Sequence, residues 1–242
     1  ATELKRLGLI DKPAVVVPNH MLEQFSREWL QAYPHARILA ASTKDLTGDS
    51  RRLFVARAAA NDWDAIVMTQ GAFKTIGLSA DFEQRYIGRE VESLKENLEI
   101  AKEDGSTRSV KQIEKAVQRA EERLKKSLDI PRDPGISFQD TGIDYLVVDE
   151  AHMYKNLATV SNITDAQITG SEKARDLHMK LEYLRERHGE RVATLATATP
   201  LANSITEAHV MQRYLRPDLL AKAGVDHFDA WAATFGTQVS EM

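Results

Sequence analysis

Cysteine is absent from the 242 residues, which excludes disulfide scaffolds and thiolate metal sites. The same absence fits a reducing compartment. No apolar run is long enough to cross a bilayer, and the charged segment 1–6 is not a signal-peptide pattern. We therefore expect a cytoplasmic protein with no membrane partner. The 12 glycines and 7 prolines are ordinary numbers for this length, so the composition does not indicate disorder.

An excess of positive charge is also absent. The formal net charge is -4 at pH 7, so we do not expect overall basicity to hold this chain on nucleic acid. A local basic strip on an acidic domain is compatible with this balance. Hydrophobic residues make up 43% of the chain, which is enough to bury a sizeable core in one domain of ordinary size.

Short apolar runs rich in β-branched residues, each bounded by polar turns, predict buried parallel strands. Helical patterns separate these runs. Strands that alternate with helices predict a parallel sheet with right-handed crossovers, which binds ligands beyond the carboxyl ends of its strands. The predicted strands are 14–17, 37–40, 65–68, 145–148 and 192–196, and the predicted helices include 22–32, 51–60 and 173–187.

The segment 81–128 interrupts this alternation with two charged helical patterns. A helix stop and start near 103–107, with Ser109 as a candidate cap, predicts an antiparallel helical hairpin that Pro131 and Pro134 end. We therefore divide the chain into a first part of the sheet domain at 1–80, a hairpin insertion at 81–130, and the rest of the sheet domain with C-terminal helices at 131–242. The simplest interpretation of the hairpin is a solvated insertion. A DNA-guiding or partner-docking role is the alternative, and it would use Lys111, Lys115, Lys125 and Lys126.

The most informative motif is Asp149-Glu150-Ala151-His152, which directly follows the apolar run 145–148. A buried strand that ends in two carboxylates places both at the ligand-binding edge of a parallel sheet. Nucleotide hydrolysis needs one carboxylate to hold Mg²⁺, usually through water, and another to orient or deprotonate the attacking water. Successive strand residues point to opposite faces, so Asp149 and Glu150 can take different roles. His152 can sense nucleotide or nucleic acid by hydrogen bonding. Alternatively, the two acids only cap the strand and begin a helix.

A second motif follows the run 192–196 and extends from Thr197 through Thr199 and Pro200 to Asn203. We expect the two threonine hydroxyls to reach across to the acidic pair and so couple the nucleotide state to a second lobe. A structural interpretation is compatible with this one: Thr199 is then a helix N-cap, and Pro200 occupies the first helical position.

Polar residues also follow the first and third predicted strands. Pro18 ends the run 14–17, and the freed amides together with Asn19 can bind a phosphate group. Thr69 and Gln70 follow the run 65–68 in the same way, with Thr69 as the expected phosphate contact. The alternative for the first of these sites is a plain strand end at which Asn19 caps the next helix.

Taken in order, these motifs resemble motifs Ia, Ib, II and III of superfamily-two helicases, and residues 149–152 resemble the DEAH box, or Walker B motif. The resemblance implies the first RecA-like ATPase lobe, a parallel sheet flanked by helices, with ATP and Mg²⁺ as cofactors. It implies that Asp149 holds Mg²⁺ through water, that Asp149, Glu150 and His152 are catalytic, and that Thr197 and Thr199 contact the nucleotide. Lys155 and Asn156, just after the box, resemble the Swi/Snf-like branch of translocases and imply contacts with double-stranded DNA.

The function that this resemblance implies is an ATP-dependent DNA helicase or double-stranded DNA translocase. The phosphate-binding run G-x-x-x-x-G-K-[ST] does not occur in the chain. We therefore expect a fragment, inactive alone, with the loop upstream and a second RecA-like lobe downstream. Similar phage- and plasmid-borne proteins join such a helicase to a DNA methyltransferase, which implies a methyltransferase domain or partner in the cytoplasm of a bacterial or phage-infected cell. The alternatives are a non-catalytic helicase-like scaffold and an RNA helicase.

Overall fold

The computed structural model describes residues 1–103, 107–129, 137–163, 166–202 and 204–236. Within these ranges, strands and α-helices alternate along the chain. The strands are β1 (Pro13–Val17), β2 (Ile38–Ala41), β3 (Ala65–Thr69), β4 (Tyr145–Val148) and β5 (Ala193–Leu195). The helices are α1 (Thr2–Arg6), α2 (Leu22–Ala32), α3 (Asp49–Ala60), α4 (Gln70–Thr75), α5 (Ala80–Glu103), α6 (Thr107–Asp129), α7 (Glu172–His188), α8 (Thr206–Leu215), α9 (Pro217–Lys222) and α10 (Phe228–Phe235).

The five strands form one parallel sheet in the order β2-β3-β1-β4-β5. β1 therefore lies at the centre, where Val16 pairs with Met68 of β3 on one side and with Val148 of β4 on the other. This arrangement confirms the predicted α/β fold with a parallel sheet flanked by helices. It also places β3 and β4 on opposite sides of β1, so that polar side chains at their carboxyl ends meet across the end of β1.

Both faces of the sheet are covered, as is typical of parallel sheets with apolar strands. Alternate residues of β1 point into different cores. Ala14 and Val16 belong to the main core, which also contains buried residues of α3, α4 and α7. Val15 and Val17 belong to a second cluster, against which α2 packs its partly buried apolar side. Because both faces of β1 are buried, neither face carries polar side chains.

α5 and α6 pack along each other as the predicted antiparallel hairpin. Ile87, in the first half of α5, packs with Ala120 in the second half of α6. Ala101, near the end of α5, packs with Ile113 near the start of α6. The predicted turn at 104–106, together with Pro131 and Pro134, lies outside the described residues, as does the side chain of Ser109.

The C-terminal helices enclose a small core of their own, in which Phe228 and Trp231 are 2% and 4% exposed. Their rings lie 6.0 Å apart with a stacked geometry. Across the described ranges, no helix is both long enough and apolar enough to span a bilayer.

Candidate nucleotide and nucleic-acid site

The carboxyl ends of β3, β1, β4 and β5 lie side by side at one edge of the sheet because the strands are parallel neighbours in that order. This edge collects the polar residues that the sequence singles out. They are Thr69 and Gln70 at the end of β3, Pro18 and Asn19 after β1, Asp149, Glu150 and His152 after β4, and Thr197 and Thr199 after β5.

The backbone turns sharply at the acidic box. Glu150 has a φ of 50°, and in the part of the chain that the structure describes it is the only non-glycine residue with a positive φ. A residue with a Cβ adopts this left-handed conformation at a cost of about 1 kcal/mol or more, so surrounding contacts must hold it. The amide of Asp149 donates to the Val16 carbonyl at 2.8 Å, and that of Ala151 donates to the Ala196 carbonyl at 2.9 Å. Hydrogen bonds to the end of β1 on one side and to the residue after β5 on the other therefore hold the turn in place.

Glu150, His152 and Thr197 form a chain of polar contacts across the ends of β4 and β5. The Nδ1 atom of His152 lies 3.0 Å from Glu150 Oε2 and 3.2 Å from Thr197 Oγ1. Because a carboxylate only accepts hydrogen bonds, Nδ1 carries the proton when it contacts Glu150. Thr197 Oγ1 also accepts from the Thr199 amide at 3.1 Å. The segment after β5 therefore reaches the acidic pair through the His152 ring, and the Thr199 side chain is exposed.

The other side of the edge, at β1 and β3, is built around the start of α4. The Thr69 hydroxyl accepts from the backbone amide three residues on, at 3.1 Å, and caps this helix. Thr69 is 2% exposed, so a phosphate contact at this position would involve a buried hydroxyl that already has a partner. Asn19 is exposed, and its Oδ1 accepts from the Gly71 amide at 3.4 Å. A Cβ on Gly71 would lie 2.6 Å from Thr43 Oγ1, so the close approach of these segments requires glycine there.

Gln70 joins the two sides. Its Nε2 donates to the Asp149 carbonyl at 3.3 Å, and its Oε1 accepts from Lys173 Nζ at 2.6 Å. Lys173 also lies over the Tyr154 ring, 4.6 Å from its centroid, and burial lowers the pKa of this lysine. Sequence reasoning missed Lys173. The signal that could have found it is a cation in the first turn of α7, where the helix dipole disfavours positive charge.

Lys155 and Asn156 face different surroundings. Lys155 Nζ lies 2.8 Å from Glu207 Oε1, and the two side chains are only 16% and 4% exposed. The other oxygen of Glu207, Oε2, accepts from the Ala202 amide at 2.7 Å. Asn156 is exposed, and its carbonyl accepts from the amide of Ser171 at 2.8 Å. Sequence reasoning also missed Glu207, because a glutamate within a helical pattern usually lies on the surface.

The acidic pair suits a metal ion that is shared with a bound phosphate. Within the described ranges, the Asp149 carboxylate has no hydrogen-bond or ion-pair partner, and it is half-buried. No group of three or more histidine, aspartate or glutamate side chains in those ranges could hold a metal by itself. Mg²⁺ at nucleotide sites is held by one or two carboxylates together with water and phosphate oxygens. The chemistry of Asp149 fits such an ion.

The fold is an α/β domain with a five-stranded parallel sheet, and comparison with known proteins gives its family. A family model described as a probable helicase domain matches residues 1–242, and the chain belongs to that family. The chain is also similar to Defense against restriction protein B of Escherichia phage P1, with 31% identity over 105 residues. This match covers 41% of the chain, and the chain spans about 5% of the length of the phage protein.

Proposed function

We propose that this domain hydrolyses ATP as part of an ATP-dependent DNA helicase or double-stranded DNA translocase. The observation that carries the proposal is the contact chain Glu150–His152–Thr197 at the carboxyl edge of the sheet. It brings a carboxylate, an imidazole and a hydroxyl within hydrogen-bond reach where parallel sheets bind their ligands. Asp149, half-exposed beside this chain, supplies the second acid that nucleotide hydrolysis needs.

In this proposal, Glu150 orients the attacking water and accepts its proton on a carboxylate oxygen. The left-handed backbone at Glu150 keeps that carboxylate at the edge of the sheet. His152 holds the Glu150 carboxylate through Nδ1, and it passes a change in the position of that carboxylate to Thr197. Thr199 presents its exposed hydroxyl to the nucleotide. Asp149 holds Mg²⁺ through water, and the ion, when bound, neutralises charge on the phosphates.

The phosphates of ATP also need backbone amides and a lysine, which a G-x-x-x-x-G-K-[ST] run supplies in P-loop enzymes. The chain has no such run, so the proposal assigns phosphate binding to another part of the native protein. A second RecA-like lobe completes the site beside Thr197. The similarity to a phage protein named for defence against restriction fits a role in a bacterial or phage-infected cell. A cytoplasmic location and a DNA methyltransferase domain or partner belong to the proposal through the sequence resemblance alone.

Nucleic acid lies on the β1 and β3 side of the edge in this proposal. The exposed side-chain amide of Asn19 offers a donor to a phosphate backbone. Gln70 then connects DNA contact to the acidic box, because its amide reaches the Asp149 carbonyl. The contacts assigned to this side of the edge are Pro18, Asn19, Thr69 and Gln70. Lys155 and Asn156, which follow the acidic box after β4, are assigned as further nucleic-acid contacts, and Lys155 would have to leave Glu207 to make its contact.

The test is ATP turnover by the full-length native protein, measured without nucleic acid, with double-stranded DNA and with RNA of matched length. The proposal expects stimulation by double-stranded DNA well above that by RNA. A triplex-displacement assay and a strand-displacement assay then separate translocation from unwinding. Stimulation by RNA alone would favour an RNA helicase. A native protein that neither binds nor hydrolyses ATP would be a helicase-like scaffold, and the enzymatic proposal would be withdrawn.

A further inference from the structure

The outward side of α6 carries a row of cations. Residues 111, 115, 119 and 126 lie within an arc of about 80° on a helix with 3.6 residues per turn. This arc lies opposite the α6 residues that are buried against α5. All four side chains are exposed, and none has an ion-pair partner among the residues that the structure describes. We call this set the basic row, and its members are Lys111, Lys115, Arg119 and Lys126.

Most other cations of the hairpin that the structure describes, Lys125 excepted, have an ion-pair partner, whereas the basic row has none. Several cations at the seam between the helices and at the base of the hairpin are paired with carboxylates at 2.7–3.0 Å. These pairs are Lys95–Glu121, Arg123–Glu90 and Arg89–Glu186. Two acids, Glu122 and the helix-terminal Asp129, occupy helix positions within the arc of the basic row, and Glu122 accepts from Gln118 Nε2 at 3.3 Å. The row therefore keeps a net positive charge on a protein whose formal net charge is -4.

The length and composition of the basic row fit a nucleic-acid backbone. At 1.5 Å per residue, the row extends over about 22 Å, a length along which one strand of B-DNA presents roughly six phosphates. Protein–protein interfaces are instead enriched in aromatic residues and depleted in lysine. The basic row contains three lysines, one arginine and no aromatic residue. Charge complementarity thus favours a phosphate backbone over a protein surface.

The hairpin is also held firmly to the part of the fold that carries the acidic box. At its base, the Tyr86 hydroxyl lies 2.7 Å from His178 Nδ1, and Phe82 packs edge-on against Tyr183 with 5.5 Å between ring centroids. Farther along, Val160, in the segment that follows the acidic box, packs against the apolar seam of the hairpin. A duplex on the basic row would therefore keep a fixed position relative to the acidic box.

We propose that the basic row binds the phosphate backbone of double-stranded DNA, as a contact separate from those at the sheet edge. The inference rests on the proposed function, because it names a second surface for the same substrate. It differs from the sequence-based alternative in its residues, since Arg119 belongs to the row and Lys125 lies just outside its arc. The row contributes affinity and position without reading base sequence.

The test uses the full-length native protein and a variant in which all four residues of the basic row are changed to glutamine. Equilibrium binding to a fluorescent DNA duplex is measured between 50 and 300 mM salt. Each lost phosphate contact removes about 0.9 from the slope of log K against log salt. We expect a slope shallower by about 2 to 4 and binding at least about tenfold weaker at 100 mM salt, with unchanged ATP turnover in the absence of DNA.

The matched control changes four exposed cations outside the hairpin to glutamine, which removes the same net charge: Arg27, Arg57, Arg191 and Lys222. We expect this control to alter the salt slope much less than the basic-row variant does. A second variant with the three lysines of the row changed to arginine should bind DNA as the native protein does. Thermal unfolding of each variant checks that the fold is intact.

The outcomes separate this inference from the proposed function. If DNA stimulates ATP turnover but the glutamine variant keeps the native affinity and salt slope, the basic row does not bind DNA and the proposed function stands. If the variant loses DNA affinity while the native protein never hydrolyses ATP, the basic row stands and the enzymatic proposal falls. Equal losses in the glutamine variant and the control would show a general charge effect and would overturn the inference.

Discussion

The Nζ atom of Lys155 lies 2.8 Å from the Oε1 atom of Glu207, and this largely buried ion pair ties the segment after the acidic box to the first turn of α8. Changing Glu207 to glutamine should lower the free energy of unfolding by about 3 kcal/mol, because it leaves the Lys155 charge largely buried without its partner. Urea unfolding followed by circular dichroism measures this loss. Glu172→Gln, which breaks an exposed pair with Lys74, is the control and should cost less than about 0.5 kcal/mol. Equal stability of the two variants would contradict the structural role of Lys155.

Lys173 should matter for turnover more than for nucleotide binding, if the proposed function is right. Its ammonium holds Gln70, which in turn holds the Asp149 carbonyl. Lys173→Met should lower DNA-stimulated kcat by roughly tenfold with little change in KM for ATP, because small misplacements of reacting groups are costly. Lys173→Arg should recover much of the rate, and Lys74→Met, at an exposed lysine on α4, should have no effect. A Lys173→Met variant with native kcat would rule out this positioning role.

A second buried ion pair lies within α7, and we expect it to contribute strongly to the free energy that holds α7 against the sheet. Lys180 is 0% exposed, and its Nζ contacts Asp176 Oδ2 at 2.8 Å and the Phe73 carbonyl at 2.6 Å. Burial raises the pKa of Asp176 and lowers that of Lys180. Asp176→Asn should cost about 3–5 kcal/mol in the free energy of unfolding, since it leaves a buried charge unpaired. Glu121→Gln, at an exposed pair in the hairpin, is the control, and a similar cost for both would contradict this account.

Stability should fall as the pH drops below 6.5, because two buried histidines resist protonation in the folded state. Burial, reinforced by nearby arginines, lowers the pKa of His178 well below 6.5 and that of His209 to about 4. In the unfolded chain both side chains take up protons near pH 6.5, so proton uptake favours unfolding between pH 6.5 and the folded-state pKa. For His209, the loss should reach about 2 kcal/mol by pH 5.

Urea unfolding at a series of pH values measures this loss directly. His209→Gln should remove the His209 share of the loss between pH 6.5 and 5 and leave the share that His178 contributes, whereas His35→Gln, at an exposed histidine, should leave the dependence unchanged. Stability that is flat over this range in the native protein would contradict the burial of both imidazoles. Stability that rises as the pH falls would mean that the folded state binds protons more tightly than the unfolded chain does.

The sequence predicts the strands well where an apolar run is bounded by polar residues. The run 145–148 coincides with β4, and the helix predicted at 22–32 coincides with α2. The run 192–196 overestimates β5, which pairs with β4 only from Ala193 to Leu195. The order of the strands does not follow from alternation alone, because β1 becomes central only through long-range pairing with β3 and β4.

The sequence predicts where the candidate site lies in the sheet, but it does not predict most of the contacts within the site. Each motif follows a strand, so the sheet topology brings the motifs together at one edge. The left-handed turn at Glu150 and the contacts of Lys173 and Glu207 were not predictable, because each depends on segments far apart in the sequence. A residue's helical spacing shows which face it occupies, but it does not identify the charge buried against it.

If the proposed function is right, Glu150 activates water for ATP hydrolysis. The most direct measurement compares Glu150→Gln with the full-length native protein, recording both the Kd for ATP and the turnover rate in the presence of double-stranded DNA. Glu186→Gln, at an exposed acid on α7, is the control. We expect a turnover rate at least about a hundredfold lower in Glu150→Gln, with the Kd for ATP nearly unchanged. Native turnover by Glu150→Gln would contradict the assignment of this edge as the hydrolytic site.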